Sequence, residues 1–136
     1  MSQRDIDALR QLMAAFNGGD MDRILSLTDP DFEAVIPPQL SAEPDTYRGH
    51  EGIRRYFESF YEVMDEIEFE AERLWDAGDS VVVAVHMRAK GKRTAIPVVQ
   101  SFTQVWRMRE GRALSVRTYL SSEEALAAAG LSPQAD

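Results

Sequence analysis

The hydrophobic period of the chain changes at residue 66, and that change limits the folds open to it. Up to Met64 apolar residues recur at helical spacing; from Glu66 they alternate with polar ones. Ile67, Phe69 and Ala71 are interleaved with Glu66, Glu68, Glu70 and Glu72, the pattern of a strand with one wet, acidic face and one buried face. At alternate positions such a row is a solvated face that discourages edge pairing, rather than a cation site. Asp76-Ala77-Gly78-Asp79, Lys90-Gly91-Lys92 and Arg109-Glu110-Gly111-Arg112 then punctuate the sequence as turns. They delimit further strands over 80–89, 94–108 and 113–120, with Pro97 near a strand start where a missing N–H does least harm.

Before the change of period the chain is helical. Ile6, Leu9, Leu12, Met13 and Phe16 form one stripe, which Asn17-Gly18-Gly19 ends. Asp20 caps a short second helix carrying Met21, Ile24, Leu25 and Leu27, ended by Thr28-Asp29-Pro30. Residues 31–36 are expected as a short strand and 38–49 as a surface loop. A third helix from about His50 carries Ile53, Tyr56, Phe57, Phe60 and Met64, with His50 as a cap. Ser121 to Glu124 is a capping box that opens a short helix over 121–129, followed by a loose tail. The expected architecture is one α+β domain over 1–136, its core about 5–121. A curved, cone-shaped antiparallel sheet with a mixed edge is wrapped by the N-terminal helices and encloses a pocket.

Composition excludes several function classes. Cysteine is absent, which removes thiol catalysis, disulfides and thiolate metal sites. Two histidines and no cysteine predict no metal site, and no cofactor is expected. A net charge of −8 with no long basic run argues against nucleic acid. No stretch approaches a membrane span and the first residues lack a signal-peptide core, so a cytoplasmic location without membrane contact is the expectation.

Three stretches carry a family resemblance: Ala14-Ala15-Phe16-Asn17-Gly18-Gly19-Asp20-Met21-Asp22, Tyr47-Arg48-Gly49-His50-Glu51-Gly52-Ile53, and Val105-Trp106-Arg107-Met108-Arg109-Glu110-Gly111-Arg112. Over about residues 5–121 the chain resembles the nuclear transport factor 2-like superfamily, in its SnoaL-like and ketosteroid isomerase-like branch. The resemblance implies a homodimer built through the outer sheet face, where His86 lies with Arg107, Arg117 and Tyr119. It also tests the isomerase chemistry. Where steroid isomerases of this family carry a tyrosine on the first helix, this chain has Leu12; their general-base aspartate falls on Ile36 and their protonated aspartic acid near Gln104. Leu12 and Ile36 move no proton, so standard ketosteroid isomerase chemistry is not expected. Nor does the four-strand meander place on an interior face the acidic residues that epoxide hydrolases and SnoaL-type cyclases use; Asp31 and Glu33 lie at the start of the first strand, nearer the mouth.

Strand parity and that alignment give the interior face: Val81, Val83, Val85 and Met87; then Gln100, Phe102, Gln104, Trp106 and Met108; then Val116, Thr118 and Leu120. Tyr56 and Gln104 are the candidate catalytic groups. Phe16, Ile36, Phe60, Val83, Val85, Met87, Gln100, Phe102, Trp106, Val116 and Thr118 are the candidate ligand-binding set. The apolar members serve equally as core. A buried glutamine needs a partner, and a buried Trp106 N–H needs an acceptor that Gln104 or a ligand can supply. The sequence leaves three readings: a cofactor-independent isomerase, cyclase or hydrolase acting on a small apolar molecule; a non-catalytic ligand-binding domain; or a dimeric interaction domain with a filled cone.

Overall fold

The computed structural model describes residues 3–35 and 46–131. Helices α1 (Gln3–Asn17) and α2 (Met21–Ser26) are followed by strands β1 (Thr28–Val35) and β2 (Thr46–Arg48) and by helix α3 (Gly49–Val63). Strands β3 (Met64–Asp76), β4 (Ser80–Gly91), β5 (Pro97–Arg109) and β6 (Arg112–Tyr119) precede helix α4 (Ser122–Ala128). The six strands form one curved, open sheet in the order β2-β1-β6-β5-β4-β3. All neighbours are antiparallel except β1 and β6, which run parallel and give the mixed edge.

Local chemistry sets these boundaries. Asp20 accepts from the Arg23 N–H at the start of α2, and Ser121 accepts from the Glu124 N–H at the start of α4. Glu110 and Gly111 have φ of 51° and 77°, the left-handed pair that a two-residue hairpin turn requires. At Gly52 an added Cβ would lie 2.8 Å from the Tyr47 carbonyl carbon, so only glycine lets α3 sit this close to β2.

Four expectations are corrected. The segment expected as loop contains β2, which pairs with β1 and buries Tyr47; a three-residue strand held by its neighbour has too short a period to show in sequence. Strand β1 begins at Thr28 and includes Pro30, because its pairing with β6 shifts register between Thr28 and Glu33 and needs no Pro30 donor there. The acidic row of β3 is not one uniform face: register shifts at Asp65/Glu68 and Ala71/Arg73 bring Arg73 and Trp75 to the side of Glu68 and Glu70. His50 does not cap α3; its Nε2 lies 2.8 Å from the Thr28 carbonyl oxygen and ties the helix start to β1.

The core lies on the concave face, under α1 and α3. Phe16 is its hub, with ring centroids 4.5 Å from Phe57, 5.9 Å from Phe60, 5.6 Å from Tyr61 and 4.5 Å from Phe69. Next to it, the Asn17 amide pairs with the Phe69 backbone, donating from Nδ2 to the carbonyl at 3.0 Å and accepting the N–H at 2.7 Å. A smaller second core lies on the convex face, where Ala125 and Leu126 of α4 cover Trp75 and Val82.

Replacing Asn17 with alanine strips both partners from the Phe69 backbone and is expected to cost about 2 kcal/mol, read as a lower urea midpoint at unchanged slope. The Tyr61 hydroxyl donates to the Phe16 carbonyl at 2.8 Å, and burial pushes the phenol up to about 12. Because this folded value lies above the ordinary tyrosine value, its contribution is complete below about pH 10 and disappears as pH rises through the folded value. Stability measured from pH 9 upward is therefore expected to fall, and Tyr61→Phe is expected to flatten that limb.

Candidate functional site

Between the helices and the concave face lies a small internal space. Leu12, Met13 and Phe16 of α1 border it on one side, with Ile53, Tyr56 and Phe57 of α3 beside them. Phe32, Phe69, Gln104, Trp106 and Val116 reach in from the sheet. The helical residues arrive there because their stripes repeat every three or four positions, and the strand residues because alternate side chains share a face. The free volume is about 20 Å³, which is room for a single water-sized group.

Two kinds of polar group meet this space. Tyr56 lies on the buried face of α3, its ring 5.3 Å from Tyr47 and 5.1 Å from both Phe57 and Phe60. Burial first, and the neighbouring Tyr47 second, hold its phenol well above the ordinary value, so it is a protonated donor at neutral pH. On the sheet side, Trp106 Nε1 donates to Gln104 Oε1 at 3.0 Å, and Gln104 Nε2 donates to Thr118 Oγ1 at 3.4 Å. The acceptor expected for a buried Trp106 is therefore Gln104.

Among the described residues no carboxylate or imidazole borders the space. Asp29 is the one buried carboxylate among the described residues. It accepts from Arg109 at 3.0 Å and from the Asp31 N–H at 2.9 Å, interactions that hold its carboxyl below the usual range. His86 is on the outer face, 3.3 Å from the Ser101 hydroxyl. Among the described residues no three histidine, aspartate or glutamate side chains are grouped to hold a metal ion. Glu66, Glu68 and Glu70 form exposed ion pairs with Lys90 and Arg88 across the β3–β4 ladder.

Of the residues singled out by sequence, Phe16, Tyr56, Gln104, Trp106 and Val116 meet at the space. Val83, Val85, Met87 and Phe102 are buried in the core, with Phe60 half-buried against it, and none of them borders the space. Thr118 stands behind Gln104 as its acceptor. Gln100 is half-buried opposite Met87, away from the space. Ile36 lies outside the described residues. Sequence reasoning left out Leu12, Met13, Ile53, Phe57, Phe69 and Phe32 as lining residues. All but Phe32 were visible as members of an apolar stripe or alternation; Phe32 shares its strand parity with Ile36. Tyr47 was hidden by the loop assignment of its segment.

The architecture is that of several solved structures. An NTF2-like protein of unknown function from Burkholderia pseudomallei superposes with a TM-score of 0.77 at 21% identity, over 93% of this chain and 97% of that one. TerC, co-crystallised with polyporic acid, gives a TM-score of 0.77 at 24% identity, over 94% of this chain and 99% of its own. IdmH, a candidate polyketide cyclase from Streptomyces antibioticus, gives 0.75 at 22% identity, over 94% and 98%. No curated protein matches the sequence significantly. The family model for the SnoaL-like domain matches residues 9–116. With most of its length matched and its sheet and helices arranged as in NTF2-like and ketosteroid isomerase-like proteins, the chain belongs to the SnoaL-like domain family.

Proposed function

We propose that the interior of the curved sheet receives a small, neutral, hydrophobic compound and holds its polar end against Tyr56. The observation that carries this reading is Tyr56: its side chain lies on the buried face of α3, its phenol is held protonated, and it borders a space otherwise lined mainly by apolar side chains. A ligand oxygen that accepts from this hydroxyl would gain about 1 kcal/mol. Five of the lining residues besides Tyr56 are aromatic (Phe16, Phe32, Phe57, Phe69 and Trp106), which suits a flat apolar body. The space fits the oxygen-bearing end of such a compound. Room for the rest requires rearrangement of its wall, where Met13 is the most adaptable side chain.

The chemistry within reach is electrophilic. Tyr56 polarises a carbonyl or stabilises an oxyanion, and none of the described lining residues is a general base at neutral pH. Isomerisation, cyclisation or hydrolysis here would depend on donor assistance, unlike the base-driven route of the steroid isomerases. The resemblance of fold to TerC, crystallised with polyporic acid, and to IdmH supports a small-molecule role. A homodimer through the outer sheet face belongs to the same reading, using the part of that face around His86 and Ser101, because Ala84 and Tyr119 pack against the patch over Trp75 and Val82 that α4 buries. A second reading, a non-catalytic interaction domain with a filled cone, is favoured by the small volume of the space.

Tyr56→Phe separates these readings. Without ligand, the variant is expected to stay within about 1 kcal/mol of the parent, because it keeps the ring that packs on Tyr47, Phe57 and Phe60. Acetophenone, an apolar carbonyl compound, is expected to raise the Tm of the parent at millimolar concentration and to bind the variant roughly fivefold more weakly. A parent whose Tm does not respond to acetophenone supports the filled-cone reading.

A further inference from the structure

The polar groups around the internal space share a direction. An indole nitrogen carries a hydrogen and offers no acceptor. The Gln104 atom 3.0 Å from Trp106 Nε1 must therefore be the amide oxygen, whatever the ambiguity of amide ends elsewhere. The amide nitrogen is thereby turned towards Thr118 Oγ1, at 3.4 Å. One carbonyl belongs to the side chains that border the space, and it is engaged. Gln104 and Tyr56 both border the space, and the donors they can offer to it are the second N–H of Gln104 and the O–H of Tyr56.

We propose that Trp106 is a positioning residue that fixes Gln104 as a hydrogen-bond donor, so that the interior selects neutral apolar compounds bearing an acceptor oxygen, such as ketones and aldehydes, over isosteres that lack one. This rests on the reading of the interior as a small-molecule site. Glutamine by itself gives no such selectivity, because a free amide turns over and offers either end. The selectivity arises because a buried Gln104 that turned would leave the indole N–H facing an amide N–H, two donors opposed in an apolar setting, with neither satisfied. The three residues lie on adjacent strands at fixed register: Trp106 opposite Val116, and Gln104 opposite Thr118. Backbone pairing therefore holds the chain in order, and Phe32, 6.4 Å from Trp106 between ring centroids, packs beside the indole.

The test compares acetophenone with ethylbenzene, two bodies of similar shape of which only the first has an acceptor. Binding is measured by calorimetry or ligand-observed NMR on the full chain. The parent is expected to prefer acetophenone roughly tenfold, although ethylbenzene partitions more readily into apolar surroundings, because two donors meet its oxygen. In Trp106→Phe, which keeps an aromatic ring and releases the amide, the preference is expected to shrink to within about threefold. Gln104→Met, close to glutamine in length and without a donor, is expected to do the same, and it carries the test if Trp106→Phe fails to fold. An undiminished preference in a folded variant of either kind overturns the proposal. Equal binding of both compounds to the parent overturns it as well, while leaving the interior a small-molecule site. Binding of neither removes that underlying reading and the proposal together.

Discussion

The joint between Phe16 and Asn17 holds this structure in register. Two consecutive residues at the end of α1 act in different ways on the same neighbour. Phe16 places its ring against aromatic side chains of α3 and β3, and Asn17 pairs through its amide with the backbone of Phe69, much as an adjacent strand would. The first contact is tolerant of direction; the second is not, because two hydrogen bonds to one residue fix both position and orientation. Together they set the distance between α1 and β3. The internal space exists because Leu12 and Met13 are held at that distance from the sheet, and α3 closes the remaining side through Tyr61, whose hydroxyl reaches the Phe16 carbonyl.

Much of this was legible in the sequence, for a physical reason. Helix stripes and strand alternation record which side of an element is dry, so the order of the elements, three of their caps and stops, and the inward faces of β4 to β6 could be read directly, except at Leu120, which lies past the end of β6 and is 49% exposed. The misreadings have causes of the same kind. A bulge shifts the phase of an alternation without marking the sequence, so Arg73 and Trp75 could not be placed by counting from Glu66. Strand β2 exists only because β1 offers it an edge. The distinction between residues that line the space and residues that pack behind it was not written in any period. Val83, Val85 and Met87 share an inward face with the groups that were singled out, yet they lie in the solid part of the core. How deep each side chain lies depends on how the helices dock, which is a tertiary quantity.

The interior shows how much function a fold leaves open. The members of this family share a curved sheet and its helices, and chemistry is assigned by a few side chains on the inner surface. Here those positions hold Leu12, Tyr56, Gln104 and Trp106. Among the described residues the space is lined mainly by apolar side chains, with Tyr56 and Gln104 as its polar groups. Nothing in the period or composition of the chain distinguishes such a chamber from one equipped with aspartates; only the identity of single residues does.

Helix α4 has an effect on the sheet that its seven residues do not suggest. By covering Val82 from the convex side it leaves Val81, Val82 and Val83 all buried. In most half-exposed strands, polarity alone forbids a slip of one residue, because slipping would expose the apolar face. Here a slipped Val-Val-Val-Ala-Val run would look nearly the same to water. Alignment of β4 must instead come from shape and from fixed points on either side: the tight turn at Gly78, the pairing of Val81 with Trp106, and the register shifts of β3. The strand that is most thoroughly buried is thus the one whose own sequence says least about where it belongs, and its neighbours carry that information for it.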